Sequence, residues 1–267
     1  MRAIRVLFAA ILFAAAGFVT PAWATAVSTD QSDLWWVPTE SGWGMQLVQR
    51  GSVIFATMFV YDQGTNPIWY TATLFPTGQA YAWTGDLQLT HGGWFGATNF
   101  NQTPLTYRRV GTMTWNAQTV ETGVLNYSVD GVPVTKNIQR QFLVYDDFSG
   151  VYSGSVHVDA TGCSNPAANI TLEGPVGIII TQSGQQFTLR LTESSDSCTL
   201  TGQLTQAGQM GTVNGSMVCD RGESGSFQLL EMQINISGIT GRLTTNSPIT
   251  GCRESGWFAG MRSTIGR

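Results

Sequence analysis

The stretch Cys198-Thr199-Leu200-Thr201-Gly202-Gln203-Leu204-Thr205-Gln206-Ala207-Gly208-Gln209-Met210-Gly211-Thr212-Val213-Asn214-Gly215-Ser216-Met217-Val218-Cys219 decides the fold. Its two halves meet at Gly208-Gln209, a two-residue turn signal that sets a hairpin register. Residues whose numbers sum to 417 then face each other: Leu204 with Val213, Gly202 with Gly215, Leu200 with Met217. The other side of the ribbon pairs Gln203 with Asn214 and Thr201 with Ser216. One face is apolar and one polar, the period-2 pattern of an antiparallel strand pair covering a core. The same register places Cys198 opposite Cys219. Directly opposed strand residues lie about 4.5–5.5 Å apart at Cα, a separation that a disulfide spans.

Outward from this hairpin the alternation continues. Phe187-Thr188-Leu189-Arg190-Leu191-Thr192 keeps its apolar residues on one face, whereas Val151–Val158 alternates less cleanly. Strands are expected near 148–159, 168–181, 186–193, 198–206, 211–219, 225–236, 238–245 and 253–262. Ser183-Gly184, Gly208-Gln209, Arg221-Gly222 and Ser237-Gly238 mark turns between them. Eight consecutive strands with short turns predict an up-and-down meander, and closure into a barrel removes its edges. In such a meander Cys163 follows the first strand and Cys252 precedes the last, at one end of neighbouring strands. The expected disulfides are therefore Cys163–Cys252 and Cys198–Cys219. The alternative connectivity, Cys163–Cys198 with Cys219–Cys252, joins groups at the same end. The cysteines have no C-x-x-C spacing, which disfavours zinc and favours disulfides in an oxidising compartment.

The N-terminus fits that compartment. Arg2 and Arg5 precede an uncharged apolar run from Val6 to Val19, followed by Pro21 and Ala22-Trp23-Ala24. This is the order of a secretory signal peptide, and the run is shorter than the ~20 residues of a membrane span. Cleavage near Ala24 is expected to deliver a periplasmic or secreted protein. Removing Arg2 and Arg5 from the 13 basic residues leaves 11 against 17 acidic ones, a formal charge of −6. Lys136 is the one lysine. A weakly acidic, lysine-poor surface has no electrostatic footprint for nucleic acid and no attraction to anionic lipid. Charged residues make up 11% of the chain and hydrophobic ones 42%, so it is not disordered.

Composition also divides the chain. All four cysteines lie after Tyr145-Asp146-Asp147-Phe148-Ser149-Gly150, while Trp35, Trp36, Trp43, Trp69, Trp83, Trp94 and Trp115 lie before it. Two separately packed domains are expected, a Trp-rich one over 25–145 and a disulfide-bonded barrel over 146–267, after the leader at 1–24. In the first, Val53-Ile54-Phe55-Ala56-Thr57-Met58-Phe59-Val60-Tyr61 is apolar on both faces and reads as a strand buried on both sides. Asp62–Pro67 is a turn, and Ile68–Phe75 a further strand. Later, Met113 and Trp115 alternate with Thr112 and Thr114, and Leu125, Tyr127 and Val129 with Asn126 and Ser128. Asp130-Gly131 is a hairpin turn, and Pro133 places the start of the returning strand at an edge. The fold class is all-β: two antiparallel meanders, the first a sheet or barrel.

Leu34-Trp35-Trp36-Val37-Pro38-Thr39-Glu40-Ser41-Gly42-Trp43-Gly44 resembles a motif of poorly characterised secreted bacterial proteins. In that group it is followed, as here, by strands similar to Phe55–Asp62 and Pro67–Tyr70, and by a hairpin similar to Asn126–Val132 with Lys136, Ile138, Arg140 and Gln141. The resemblance spans most of 33–143 and implies export and β structure, with no activity attached. The second half resembles lipocalin- or avidin-like barrels in strand count alone.

The conspicuous candidate site is the aromatic cluster Trp35, Trp36, Trp43, Trp69, Tyr70, Tyr81, Trp83 and Trp94: a stacking platform for a sugar or flat ligand, or else core packing. Rings on loops, Trp35, Trp36 and Trp94, are expected outside, and Trp69 in the core. Ser-Gly-Trp occurs twice, after Glu40 and after Glu254, and chance with a shared strand-entry turn is the preferred explanation. Both glutamates are candidates for a carboxyl buried beside a ring with raised pKa. His91 and His157 stand alone, without G-x-S-x-G or H-E-x-x-H, and His157 falls on a polar face. Asp146-Asp147 has no D-x-D-x-D loop for calcium. The expected protein is a non-enzymatic exported binder of a small molecule, glycan or protein, without cofactor, metal or stable membrane insertion. Its candidate ligand-binding residues are Trp35, Trp36, Trp43, Trp94 and Glu40. Two alternatives are an inhibitor of a secreted hydrolase, docking through Asn101–Leu105 or Cys163–Asn169, and a hydrolase using Glu40.

Overall fold

The computed structural model describes residues 27–94, 96–99, 105–194 and 196–263. The leader at 1–24 lies outside the described residues, as do 101–104 of the loop Asn101–Leu105. The described chain is all-β and forms two closed eight-stranded antiparallel barrels, each strand hydrogen-bonded to its sequence neighbours.

Barrel 1 comprises β1 (Asp33–Trp36), β2 (Gly44–Arg50), β3 (Val53–Tyr61), β4 (Pro67–Pro76), β5 (Ala82–His91), β6 (Thr106–Ala117), β7 (Thr122–Val129) and β8 (Val132–Arg140). Barrel 2 comprises β9 (Gly150–Thr161), β10 (Thr171–Ser183), β11 (Gln186–Thr192), β12 (Ser197–Ala207), β13 (Met210–Cys219), β14 (Ser224–Ile234), β15 (Gly238–Asn246) and β16 (Arg253–Arg262). The β12–β13 register runs from Cys198 opposite Cys219 to Ala207 opposite Met210. It turns through Gly208 at φ +57°, the left-handed first position that a type II′ hairpin needs. Disulfides join Cys198 to Cys219 and Cys163 to Cys252.

The barrels close differently. In barrel 2, β9 and β16 pair along their length, from Thr161 opposite Arg253 to Tyr152 opposite Arg262. In barrel 1, β1 meets β8 only where Trp35 faces Arg140 and Trp36 faces Gln139. The first part of β8, including Pro133, is paired to β7 alone, so proline sits where no second ladder needs its missing N–H.

Each barrel is filled by its own apolar core. A fully buried Leu, Ile or Phe contributes roughly 1.5–3 kcal/mol, and Leu47, Ile54, Leu74, Phe187, Leu189 and Leu229 are among those removed from water. At the floor of barrel 1 the Trp35 and Trp115 rings meet edge-on, centroids 4.6 Å apart. The buried Gln31 caps them, accepting from Trp35 Nε1 at its carbonyl and from Trp115 Nε1 at its side-chain oxygen. Arg140, wholly buried, lies over the Trp35 ring and donates to the carbonyls of Val120, Ser32 and Asp30 and to Asp33 Oδ2. Asp33 also accepts from the Gln209 backbone N–H in the β12–β13 turn, and Thr29 donates to the buried Glu231 of β14. The same carboxylate thus pairs the arginine of one barrel and holds a turn of the other.

One strand departs from the sequence expectation. β3 is not buried on both sides: Ile54, Ala56 and Met58 point into barrel 1, but Phe55, Phe59 and Tyr61 point to solvent. A closed barrel has a single interior, so one face of every strand remains outside unless another element covers it.

Candidate functional site

The aromatic residues sort partly against the expectation: Trp94 is exposed as expected, but Trp35 and Trp69 exchange places. Trp35, expected outside on a loop, is 0% exposed, and Trp69, expected in the core, is 55% exposed. Trp35 lies on a strand whose inward residue must fill the barrel floor; Trp69 lies on the outward parity of β4. Trp36 and Trp43 are half-buried, Trp94 is exposed between β5 and β6, Tyr81 is exposed, and Tyr70 and Trp83 are buried. The Trp36 Nε1 is buried without a hydrogen-bond partner. The five candidate residues Trp35, Trp36, Trp43, Trp94 and Glu40 therefore do not form a single exposed platform.

Glu40 and Trp43 instead build a clip. The loop between β1 and β2 passes the open flank of β8, and there Glu40 accepts from Lys136 Nζ at 2.6 and 2.9 Å and from Trp43 Nε1 at 3.0 Å. Lys136 Nζ also stands 5.8 Å from the Trp43 ring centroid. The Lys136 hydrogen bond, helped by that of Trp43, holds the Glu40 carboxyl below the usual carboxylate range. It is a fixed anion, whereas a general acid needs a raised pKa. In the second Glu-Ser-Gly-Trp the reverse holds. Burial raises the Glu254 carboxyl, opposed by a hydrogen bond from Thr245 Oγ1. The two glutamates lie in different barrels. The two Ser-Gly-Trp triplets also differ in structure: Gly42 turns the β1–β2 loop at φ +104°, while Gly256 sits inside β16, where a Cβ would meet the His157 carbonyl.

The remaining sequence candidates are separate. His157 is exposed on the outer wall of barrel 2, in contact with Glu173 and opposite Trp257. His91 ends β5, exposed. Asp146 bonds to Gln206 at the junction, where burial raises its carboxyl, and Asp147 accepts from the Ser149 N–H. The segment Cys163–Asn169 carries a 3₁₀ turn at Pro166–Ala168 and is tied by its disulfide and by Cys163 N–H to Asn169 Oδ1. Among the described residues Asp196, Cys198 and Cys219 come close enough to hold a metal, but the disulfide removes both thiolates as ligands. A shallow depression of 430 Å³ on the wall of barrel 2 is lined by small residues such as Ser153, Ser155 and Ala259.

The site that the structure assembles is the outer face of β3 and β4. Phe55, Phe59, Tyr61, Trp69 and Phe75 are 47–57% exposed there. Phe59 faces Trp69, Thr57 faces Thr71 and Phe55 faces Thr73 across the two strands. Val48 of β2 adds to the Phe55 end, and the Trp69 Nε1 donates to Thr90 Oγ1 of β5. At ~3.3 Å per residue, Phe55 and Phe59 stand about 13 Å apart and Trp69 and Phe75 about 20 Å apart. Between the two aromatic ends runs a polar row of neighbouring residues, Gln46, Thr57 and Thr71, which continues to Gln88 of β5, whose side-chain oxygen is buried without a hydrogen-bond partner. The charges on the β5–β6 side cancel: Arg109 Nε lies 2.7 Å from Asp86.

A signal for this face exists in the sequence. In β3 the aromatics share a parity with Thr57 while Ile54, Ala56, Met58 and Val60 take the other; in β4, Trp69 and Phe75 share theirs with Thr71 and Thr73. Threonine on the aromatic parity marks the outward side.

Fold and site define a two-barrel antiparallel protein with filled interiors and an aromatic outer face. No protein-family model matches the chain, and no curated protein matches it in sequence.

Proposed function

We propose that this is an exported, non-enzymatic binding protein whose ligand lies on the outer face of β3–β4. One observation carries the reading: five aromatic side chains exposed together on a rigid wall, held on two paired strands. Single exposed apolar residues are ordinary, but five exposed rings gathered on one face, in two groups either side of a polar row, mark an interaction site. The barrel cores support a surface site, since large side chains occupy the interiors. Export is supported by the N-terminal charge and hydropathy pattern and by the two disulfides. The resemblance of Leu34–Gly44 to a motif of secreted bacterial proteins supports it as well. No described helix is long and apolar enough to cross a membrane.

The face is tested with an uncharged apolar dye, Nile red, titrated against the oxidised protein and its Trp69→Ala and Phe59→Ala variants. Trp257→Ala, which removes an exposed ring from barrel 2, is the control. At least tenfold weaker binding is expected for the two face variants, and unchanged binding for the control. Equal binding by all four proteins would remove the site.

A further inference from the structure

We propose that the ligand of the β3–β4 face is a chain of neutral sugar residues; this rests on the reading of that face as the binding site. Shape comes first. Small-molecule sites are concave and enclose most of their ligand, whereas this one is an open outer wall about 20 Å long between Trp69 and Phe75. An extended polymer can lie along such a wall and contact both aromatic ends.

The pattern of side chains is the second argument. A sugar ring offers two kinds of surface, an apolar face of C–H groups and a rim of hydroxyls. Aromatic rings receive the first by stacking, their π faces being electron-rich. Hydroxyl and amide side chains receive the second, since threonine and glutamine both donate and accept. The wall supplies them in sequence along its length: Phe59 and Trp69, then the row Gln46, Thr57 and Thr71, then Phe55 and Phe75. A purely apolar ligand would leave that central row desolvated without partners, at a cost for each group.

Charge supplies the third. The row and the rings carry no ionised group, and the neighbouring Asp86 and Arg109 neutralise each other. Protein partners are guided by complementary charge around a contact; here the ends of the face carry only single charges of opposite sign, Arg50 on the outward side of β2 beside Phe55 and Asp62 past Tyr61. A polyanionic glycan meets a chain of formal charge −4 with one lysine, already engaged by Glu40. An uncharged polymer pays neither penalty.

The test is affinity electrophoresis of the oxidised protein in gels containing hydroxyethylcellulose, mixed-linkage β-glucan, starch or arabinoxylan, with alginate as the polyanionic comparison. Retardation by at least one neutral polymer is expected. It should fall at least tenfold in apparent affinity for Trp69→Ala and Phe59→Ala and stay unchanged for Trp257→Ala. Retardation by alginate alone, or by none of the gels while Nile red still reads Trp69, overturns the sugar assignment and leaves the binding face standing. If neither dye nor polymer responds to Trp69→Ala, both readings fall. A dimer in sedimentation that Trp69→Ala dissociates reassigns the face to a second copy of the chain and overturns the sugar.

Discussion

Glu40 and Glu254 each precede a Ser-Gly-Trp, yet their carboxyls are driven in opposite directions. Glu40 answers to its lysine and Glu254 to its burial. For Glu254 the folded chain holds its proton more tightly than the unfolded chain does. Between the unfolded and folded pKa values the native state therefore binds more protons, and stability falls as pH rises through that window. Above the folded pKa the cost of a buried carboxylate is fully present. Glu254→Gln keeps an acceptor for Thr245 and removes the charge. It is expected to raise the urea midpoint above the folded pKa, with the gain shrinking as pH falls toward the ordinary carboxylate value. A variant no more stable than the parent at pH 8 would contradict this. The buried Arg140 poses the opposite problem: burial lowers its pKa and Asp33 counteracts this, in a setting where removing one partner strands a charge.

Among the elements, the seam between β1 and β8 is the thinnest part of the architecture. Two ladder pairs and the Gln141 N–H bond to the Leu34 carbonyl close it, against full-length pairing of β9 with β16. The Glu40–Lys136 clip lies over the stretch of β8 that β1 does not reach. Lys136→Met keeps the stem that packs near Trp43 but deletes the ammonium. Two effects are expected. Glu40 should titrate at a higher pH, followed by its side-chain carboxyl resonance, and amide exchange should quicken at Trp36 and Gln139 while barrel 2 is unaffected. Unchanged exchange there would mean that the ladder alone holds the seam. The strand positions of barrel 2 were legible in the sequence because apolar and polar residues alternate between short turns, as in Phe187–Thr192 and the Cys198–Cys219 hairpin. The direction of β3 and β4 was marked only by Thr57, Thr71 and Thr73 on the aromatic parity, and the apolar pattern itself is silent on it. Phe55 and Ile54 are both apolar, and burial of apolar surface carries no preference for one face over the other.

At the scale of the whole molecule, the barrels have separate cores and a polar joint in which Asp33, Gln209, Thr29 and Glu231 meet. Both disulfides lie in barrel 2. Chain-entropy arguments give ~4.6 kcal/mol for the Cys163–Cys252 link, which spans 89 residues, and ~3.3 kcal/mol for Cys198–Cys219, which spans 21. Replacing Cys163 and Cys252 by serine should therefore lower the unfolding midpoint of barrel 2 more than the same change at Cys198 and Cys219. Calorimetry of the two double variants, with Trp257 fluorescence reporting barrel 2, measures the difference; the reverse order would show that native packing outweighs loop length.

The sequence by itself determined the all-β class, the number and order of the strands after residue 148, and the register that brings Cys198 to Cys219. These follow from period-2 alternation and turn chemistry, which act between residues close along the chain. Only the tertiary structure decided that the first half also closes, that Trp35 and Trp115 share its floor with Arg140, and that Trp69 stands outside. Those outcomes depend on which parity of an evenly apolar strand turns inward. That choice is made jointly by eight strands competing for one interior volume, through contacts between residues as distant as Gln31 and Trp115.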